Sequence, residues 1–261
     1  MNNMKDYRII DITPDNIEDF GVCGYKDARK HPELQNKIDW FKKYYPLGLK
    51  VKSVIIDDGG NQGMIEYIPG KYAHRPVDAK GYMFINCIFV GFKKQYKGRG
   101  YATALIGECE KEAEAAKMAG VAVVTRKGSF MVDDGIFLKS GYVLVDSCAP
   151  DFHLLVKKFD DSYQDPKFKV DMASGLGQYQ KGLTILRSVQ CPYTYKNVNE
   201  IKKAAKEVFD LTLRIVDLEN PEQIQRSPCP FGSFCMIFDG KIISHHPISK
   251  GRFVNIMNKL T

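Results

Sequence analysis

The 261 residues carry 44% hydrophobic side chains, including 15 Phe and 14 Tyr, which excludes a disordered polymer and supplies a packed core. The net charge of +7 is spread along the chain, which excludes the concentrated basic face of a nucleic-acid binder and suits a small anionic ligand. Seven cysteines form no CxxC pair, no apolar run is long enough for a membrane span, and the opening residues lack the pattern of a signal peptide, so a reducing, cytoplasmic setting is expected.

Taken in order, Tyr7–Thr13 reads as a first strand and Pro14-Asp-Asn as a helix start. Residues 33–45 place apolar side chains at 34, 38, 41 and 45, a helical spacing that Pro46 and Gly48 end. Leu49–Asp57 alternates apolar and charged residues as a strand does. Asp58-Gly-Gly-Asn reads as a hairpin turn, with the return strand over Gln62–Ile68. After a Gly/Pro/His loop at 69–81, Tyr82–Val90 is an apolar strand suited to burial. Tyr101–Met118 is the strongest helical pattern in the chain, with Ala102, Leu105, Ile106, Cys109 and Ala113 on one face and Gly120 expected as its cap. Val121–Thr125 is a buried strand. Asp133–Gly141 is a short helix with acidic residues at its start and Gly at C′. Tyr142–Asp146 and His153–Phe159 form a last pair of strands.

Residues 161–180 are polar and punctuated by Gly and Pro, so a linker is expected there, between a domain over 1–160 and a second over 181–261. The second segment runs strand (182–187), helix (197–209), strand (211–216), a hairpin around Asp239-Gly240, and a closing helix over 252–260. Both parts are therefore α/β (α+β). His245 and His246 are adjacent, and neighbours on a strand face opposite ways, so no metal site is expected.

The chemistry concentrates where the strand ending at Val90 meets the helix beginning at Tyr101. Between them lie Gly98 and Gly100, with Lys93, Lys94, Lys97 and Arg99 around them. A strand, a glycine turn and a helix N-terminus bring backbone N–H groups together on an anion, and the charges suit a diphosphate.

The turn Lys97-Gly-Arg-Gly-Tyr-Ala102 resembles the Arg/Gln-x-x-Gly-x-Gly/Ala motif of the GCN5-related N-acetyltransferase (GNAT) superfamily. Lys97 stands where Arg or Gln is usual. The order of elements over 7–159 is also similar, as is the segment Leu138-Lys-Ser-Gly-Tyr142. The resemblance implies a mixed sheet flanked by helices, with acetyl-CoA as co-substrate and no metal. It implies that Lys97, Gly98, Arg99, Gly100, Tyr101, Ala102 and Thr103 surround the diphosphate. Main-chain groups of Ile88, Phe89 and Val90 would pair with the pantetheine arm. The implied reaction is attack by an amine of a small molecule or peptide on the thioester.

That reaction needs a proton taken from the amine and one given to the thiolate. Related enzymes often carry a Tyr on the last helix for the second task, and Phe137 stands there instead. Asn86, Cys87 and Tyr142 are the nearest weak candidates for catalysis, and Cys87 in an apolar strand reads first as a packed thiol. The second segment resembles thioredoxin-like folds through Cys191-Pro-Tyr-Thr194 at a strand-to-helix turn, with Thr194 where a second cysteine would stand. The pairing with an acetyltransferase resembles the YoaP-type architecture. Two other readings stay open: a non-catalytic acyl-CoA-binding protein, and a thiol-redox protein centred on Cys191. The acceptor amine and the oligomeric state are not legible.

Overall fold

A computed structural model describes residues 7–20, 22–25, 30–31, 34–57, 59–91, 94–171 and 175–260. Lys93, Asp58 and Glu33 of the readings above lie outside the described residues. The chain divides into two compact units. One comprises residues up to Ala73 together with Asp78–Lys167; the other is Phe168 onward plus the short segment His74–Val77.

The first unit is built on a seven-stranded sheet. Its strands are β1 (Arg8–Ile12), β2 (Lys50–Ile56), β3 (Gly60–Pro69), β4 (Met83–Val90), β5 (Gly120–Thr125), β6 (Val143–Cys148) and β7 (Phe152–Lys158), in the order β1-β2-β3-β4-β5-β7-β6. Its helices are α1 (Ile17–Phe20), α2 (Gln35–Tyr44), α3 (Tyr101–Ala115) and α4 (Gly135–Lys139). Only β4 and β5 pair in parallel, because α3 carries the chain back across the sheet between them.

The alternation over Leu49–Asp57 forms β2 as expected, and one of its charged positions is buried. Lys52 is 6% exposed, and its ammonium is paired with Glu112 of α3 at 2.8 Å and with Asp11 of β1 at 2.5 Å. The buried ammonium thus has two carboxylate partners that offset its loss of water. One face of the sheet packs Ile65, Tyr67, Met83, Ile85, Val121 and Val123 against Tyr101, Leu105, Ile106, Cys109 and Ala113 of α3 and Phe137 of α4. Full burial of a Leu or Ile side chain contributes about 1.5–3 kcal/mol, so this stripe fixes α3 on the sheet.

Helix α3 ends at Ala115, three residues short of its apolar pattern, and Lys117 takes a left-handed φ of 53°. Gly120 is not the cap expected of it. It opens β5, where an added Cβ would lie 2.2 Å from the Lys157 carbonyl, so the glycine serves strand contact with β7. Between α4 and β6, Gly141 takes φ 86°, as expected of a C′ glycine.

The second unit has a four-stranded sheet of β8 (Leu183–Arg187), β9 (Leu213–Asp217), β10 (Phe234–Phe238) and β11 (Lys241–Ser244), ordered β9-β8-β10-β11. Strands β8 and β9 are parallel and joined by α5 (Pro192–Phe209). Helix α5 starts five residues earlier than its apolar spacing suggested, with Cys191 as N-cap and Pro192 in its first turn. A short helix, α6 (Pro221–Gln225), was not anticipated. Asn220 caps it, its side chain accepting from Gln223 N at 3.0 Å. Helix α7 (Lys250–Met257) closes the chain. His245 and His246 follow β11 rather than lying on it.

Candidate active site

Strands β4 and β5 run side by side for three pairs, Met83 with Val121, Phe84 with Ala122 and Ile85 with Val123. Beyond Ile85, β4 continues to Val90 with its ladder only to β3, and β5 continues with its ladder only to β7. A bulge marks the point of departure. Glu66 of β3 pairs with Cys87 and Tyr67 with Ile85, which leaves Asn86 as the extra residue on β4. From there Cys87, Ile88, Phe89 and Val90 are half-buried. Their β5-facing backbone groups lie where that neighbouring strand has moved away.

The gap leads to the turn before α3. Gly98 and Gly100 hold left-handed φ values of 73° and 77°, which glycine adopts without strain, and a Cβ at either would project into open space. Gly100 is the N-cap and offers no side chain to the helix end. The first backbone bond of α3 runs from Ala104 N to Gly100 O at 2.9 Å, so the amides of Ala102 and Thr103 precede the helical ladder. A cleft of about 570 Å³ lies over this point. It is lined by Val90, by every residue of the turn from Tyr96 to Thr103, and by Asp133, Gly135, Ile136 and Lys139 at α4. Lys97, Arg99 and Lys139 give it a positive field, and the carboxylate of Asp133 is turned to the Gly135 amide at 3.0 Å. Amides ahead of a helix ladder, space beside two glycines and three cations form a donor set that fits a diphosphate.

The other sequence candidates fall elsewhere. Tyr101 lines the cleft with its backbone, while its ring is buried against Tyr7 at 4.9 Å. Phe137 is fully buried and packs on Tyr142 at 5.1 Å. Tyr142 is 2% exposed, and burial followed by the charges of Cys109 and Glu110 pushes its phenol far above the ordinary tyrosine value. As a candidate acid, Tyr142 is therefore placed in the core and outside the cleft. Asn86 sits at the bulge, 4% exposed. Cys87 shares the sheet face opposite α3 with Glu66, its partner across the ladder.

Sequence reasoning missed two groups. One is a fully buried ion pair between Lys37 of α2 and Glu66, with the ammonium 3.9 Å above the Trp40 ring. Burial is the largest single influence and would lower the Lys37 pKa; the charge and hydrogen bond of Glu66, with the charges of Cys23 and Cys87, together outweigh it and keep the pKa above its usual value. The signal was a carboxylate inside the apolar strand Gln62–Ile68. The other is a cluster of Thr125, Asp134 and His153. Thr125 Oγ1 donates to one oxygen of Asp134, and His153 Nδ1 lies 2.6 Å from the other.

In the second unit Cys191 is half-buried at the start of α5, and Thr194 is buried one turn in. Cys229 and Cys235 are fully buried. Burial, and then the Cys229 thiol beside it, raise the Cys235 pKa well above the ordinary thiol value. None of the seven cysteines is in a disulfide. Among the described residues no group of three or more His, Cys, Asp or Glu is arranged to hold a metal ion, and no helix is long and apolar enough to cross a membrane.

Residues 213–255 match the model of the YoaP-like family. That stretch spans β9 to α7 of the second unit. Over 254 residues, 96% of this chain and 98% of the relative, the sequence is 29% identical to the "Uncharacterized N-acetyltransferase YoaP" of Bacillus subtilis (strain 168). The similarity therefore runs through both units. Among solved structures, the PaiA N-acetyltransferase of Thermoplasma acidophilum in complex with coenzyme A is 14% identical, covering 59% of this chain and 100% of that one, with a TM-score of 0.41. The GNAT-family protein YhbS of Escherichia coli, in complex with CoA, is 12% identical over 64% and 92% of the two chains, with a TM-score of 0.41. A ribosomal-protein-alanine N-acetyltransferase of Brucella melitensis is 14% identical over 58% and 99%, with a TM-score of 0.42.

Proposed function

We propose that this protein is an acetyl-CoA-dependent N-acetyltransferase acting on an amine of a small molecule or peptide. The observation that carries the reading is the gap between β4 and β5 opening onto the N-terminus of α3, which has no side-chain cap. The whole-length similarity to an N-acetyltransferase supports it. Gly98, Arg99, Gly100, Tyr101, Ala102 and Thr103 would hold the diphosphate through backbone amides, with Lys97 adding charge. The main chain of Ile88, Phe89 and Val90 would hold the pantetheine arm, as an added strand holds to a free strand edge.

Acetyl-CoA supplies an activated acetyl thioester. The chain supplies orientation, exclusion of water by the apolar walls of β4 and α4, and a place for the protons. Seven cysteines outside any disulfide suit a reducing cytoplasm. The second unit runs β-α-β-α-β-β-α with Cys191 at the start of its long helix, and we read it as thioredoxin-like.

Isothermal titration with acetyl-CoA tests the reading, with saturable binding expected; absence of binding at millimolar cofactor would overturn it. The burial of Phe137 and Tyr142 favours a second reading, a protein that binds acyl-CoA without turning it over. Release of CoA thiol in the presence of a panel of amines decides between the two.

A further inference from the structure

The cluster of Thr125, Asp134 and His153 is joined to the cleft through Asp134, which lies between two of its lining residues, and has no role in holding the cofactor. Strand β5 leaves β4 after Val123. Thr125 is two residues further on, so it lies on the same face as Val121 and Val123, the face packed against α3. His153 of β7 is the residue directly opposite Thr125 in the ladder, and its side chain shares that face. Counted along the strands, Thr125 is level with Cys87, where the gap between β4 and β5 opens. From the start of α4, Asp134 reaches both side chains, one carboxylate oxygen to each. Its neighbours Asp133 and Gly135 both line the cleft.

Resting on the acetyltransferase reading, we propose that His153 is the proton donor to the sulfur released when the thioester is cleaved, and that Asp134 is the positioning residue that orients it. An ionised carboxylate only accepts, so the ring nitrogen 2.6 Å away, Nδ1, carries hydrogen. That fixes the tautomer and commits Nδ1. Nε2 has no protein partner among the described residues, and the His153 side chain is 39% exposed. Burial would raise the Asp134 pKa, but hydrogen bonds from Thr125 and His153 and the charge of His153 outweigh it and hold the carboxyl below its usual value. Other charged groups nearby include Asp133, whose carboxylate accepts from the Gly135 amide, and Arg126, just past β5, with Asp151, which form an ion pair at 2.6 Å. On the β6 side, the residue opposite His153 is the uncharged Ser147.

The proton count closes. The bond between the acetyl carbon and sulfur breaks with its electron pair on sulfur, and Nε2–H of the imidazolium passes its proton there. The neutral ring then takes up, through water, the proton that the amine nitrogen loses as its bond to carbon forms. His153 ends as it began.

Imidazole ¹⁵N spectra of the full chain test this, with coenzyme A and desulfo-coenzyme A as probes. The signals of His153 among the five histidines are assigned by their loss in His153→Gln. Coenzyme A is expected to move Nε2 of His153 more than any other histidine nitrogen, and desulfo-coenzyme A to bind yet leave it near its free position. In Asp134→Asn the preference for Nδ1–H is expected to give way to a mixture of tautomers, with coenzyme A affinity within about twofold. If both probes bind and move His153 alike, or neither moves it, the role of His153 is refuted and the cofactor reading stands. If neither probe binds, the cofactor reading falls and this inference with it. If Asp134→Asn leaves the tautomer unchanged, Asp134 does not position the ring.

Discussion

Replacing Lys37 by Met leaves the Glu66 carboxylate alone in a site where both side chains of the pair are 0% exposed. Removing one partner of a buried pair costs about 3–5 kcal/mol, because the remaining charge keeps its desolvation penalty and loses its compensation. Against a total stability of about 5–15 kcal/mol for a domain, that is a large fraction. At roughly 2–4 °C per kcal/mol for a unit of this size, melting of the first unit should fall by about 6–20 °C. Lys37→Met combined with Glu66→Leu removes both charges and should recover most of the loss. The two single variants and the double variant, followed by thermal and urea unfolding, give the coupling energy directly. The sign with pH follows from the raised Lys37 pKa. The stabilisation is complete below the unfolded lysine value, near 10.4, and is lost as pH rises through the higher folded value. A cost below about 1 kcal/mol for Lys37→Met, or a coupling near zero, would refute the claim that this pair is dry and matched.

Gly100→Val forces a β-branched residue into a left-handed φ at the N-cap of α3, at a cost of about 1–3 kcal/mol, and fills the space beside the amides. Titration should show acetyl-CoA affinity falling at least about tenfold, as a loss near 1.4 kcal/mol requires. Phe137→Tyr adds a hydroxyl at a fully buried position. It should destabilise by about 1–3 kcal/mol in urea unfolding and raise no turnover. In the folded protein, iodoacetamide followed by peptide mass spectrometry should label Cys87, Cys148 and Cys191. It should reach Cys109, Cys229 and Cys235 only after unfolding. Because the Asp134 carboxyl is held below its usual value, its contribution is present above the unfolded value near 3.9 and lost as pH falls through the folded one. Asp134→Asn should therefore flatten the acid limb of the stability profile.

The frame of the first unit was legible because its strands and helices announce themselves locally. The apolar run at 83–90, the stripe on α3 and the glycine turn between them are short-range patterns, and each element formed where they lay. Errors came where a residue answers to a distant neighbour. Gly120 looks like a helix cap in sequence, yet its role is contact with Lys157, 37 positions away. The alternation over Leu49–Asp57 marks Lys52 as a strand position but carries no sign of Glu112 and Asp11, which reach it from two other elements. In the second unit the apolar spacing marks α5 only from residue 197, since Tyr193, Thr194 and Tyr195 carry no apolar period to reveal its first turn.

The same division separates what binds from what reacts. A diphosphate is held by backbone amides and glycine conformations, and these are written into consecutive residues from Lys97 to Thr103. A proton is moved by side chains that meet only when the chain folds. Asp134 and His153 are 19 positions apart, and neither stands in a motif. Scanning the strand before the turn for a carboxylate or a phenol could not find them, because they come from β7 and the start of α4. What could have marked them is a polar residue ending an otherwise apolar strand: Thr125 after Val121-Ala-Val-Val124 is fully buried, and its hydroxyl donates to Asp134. A buried hydroxyl at the end of a core strand requires a partner, and following that requirement leads from Thr125 to Asp134 and from Asp134 to His153.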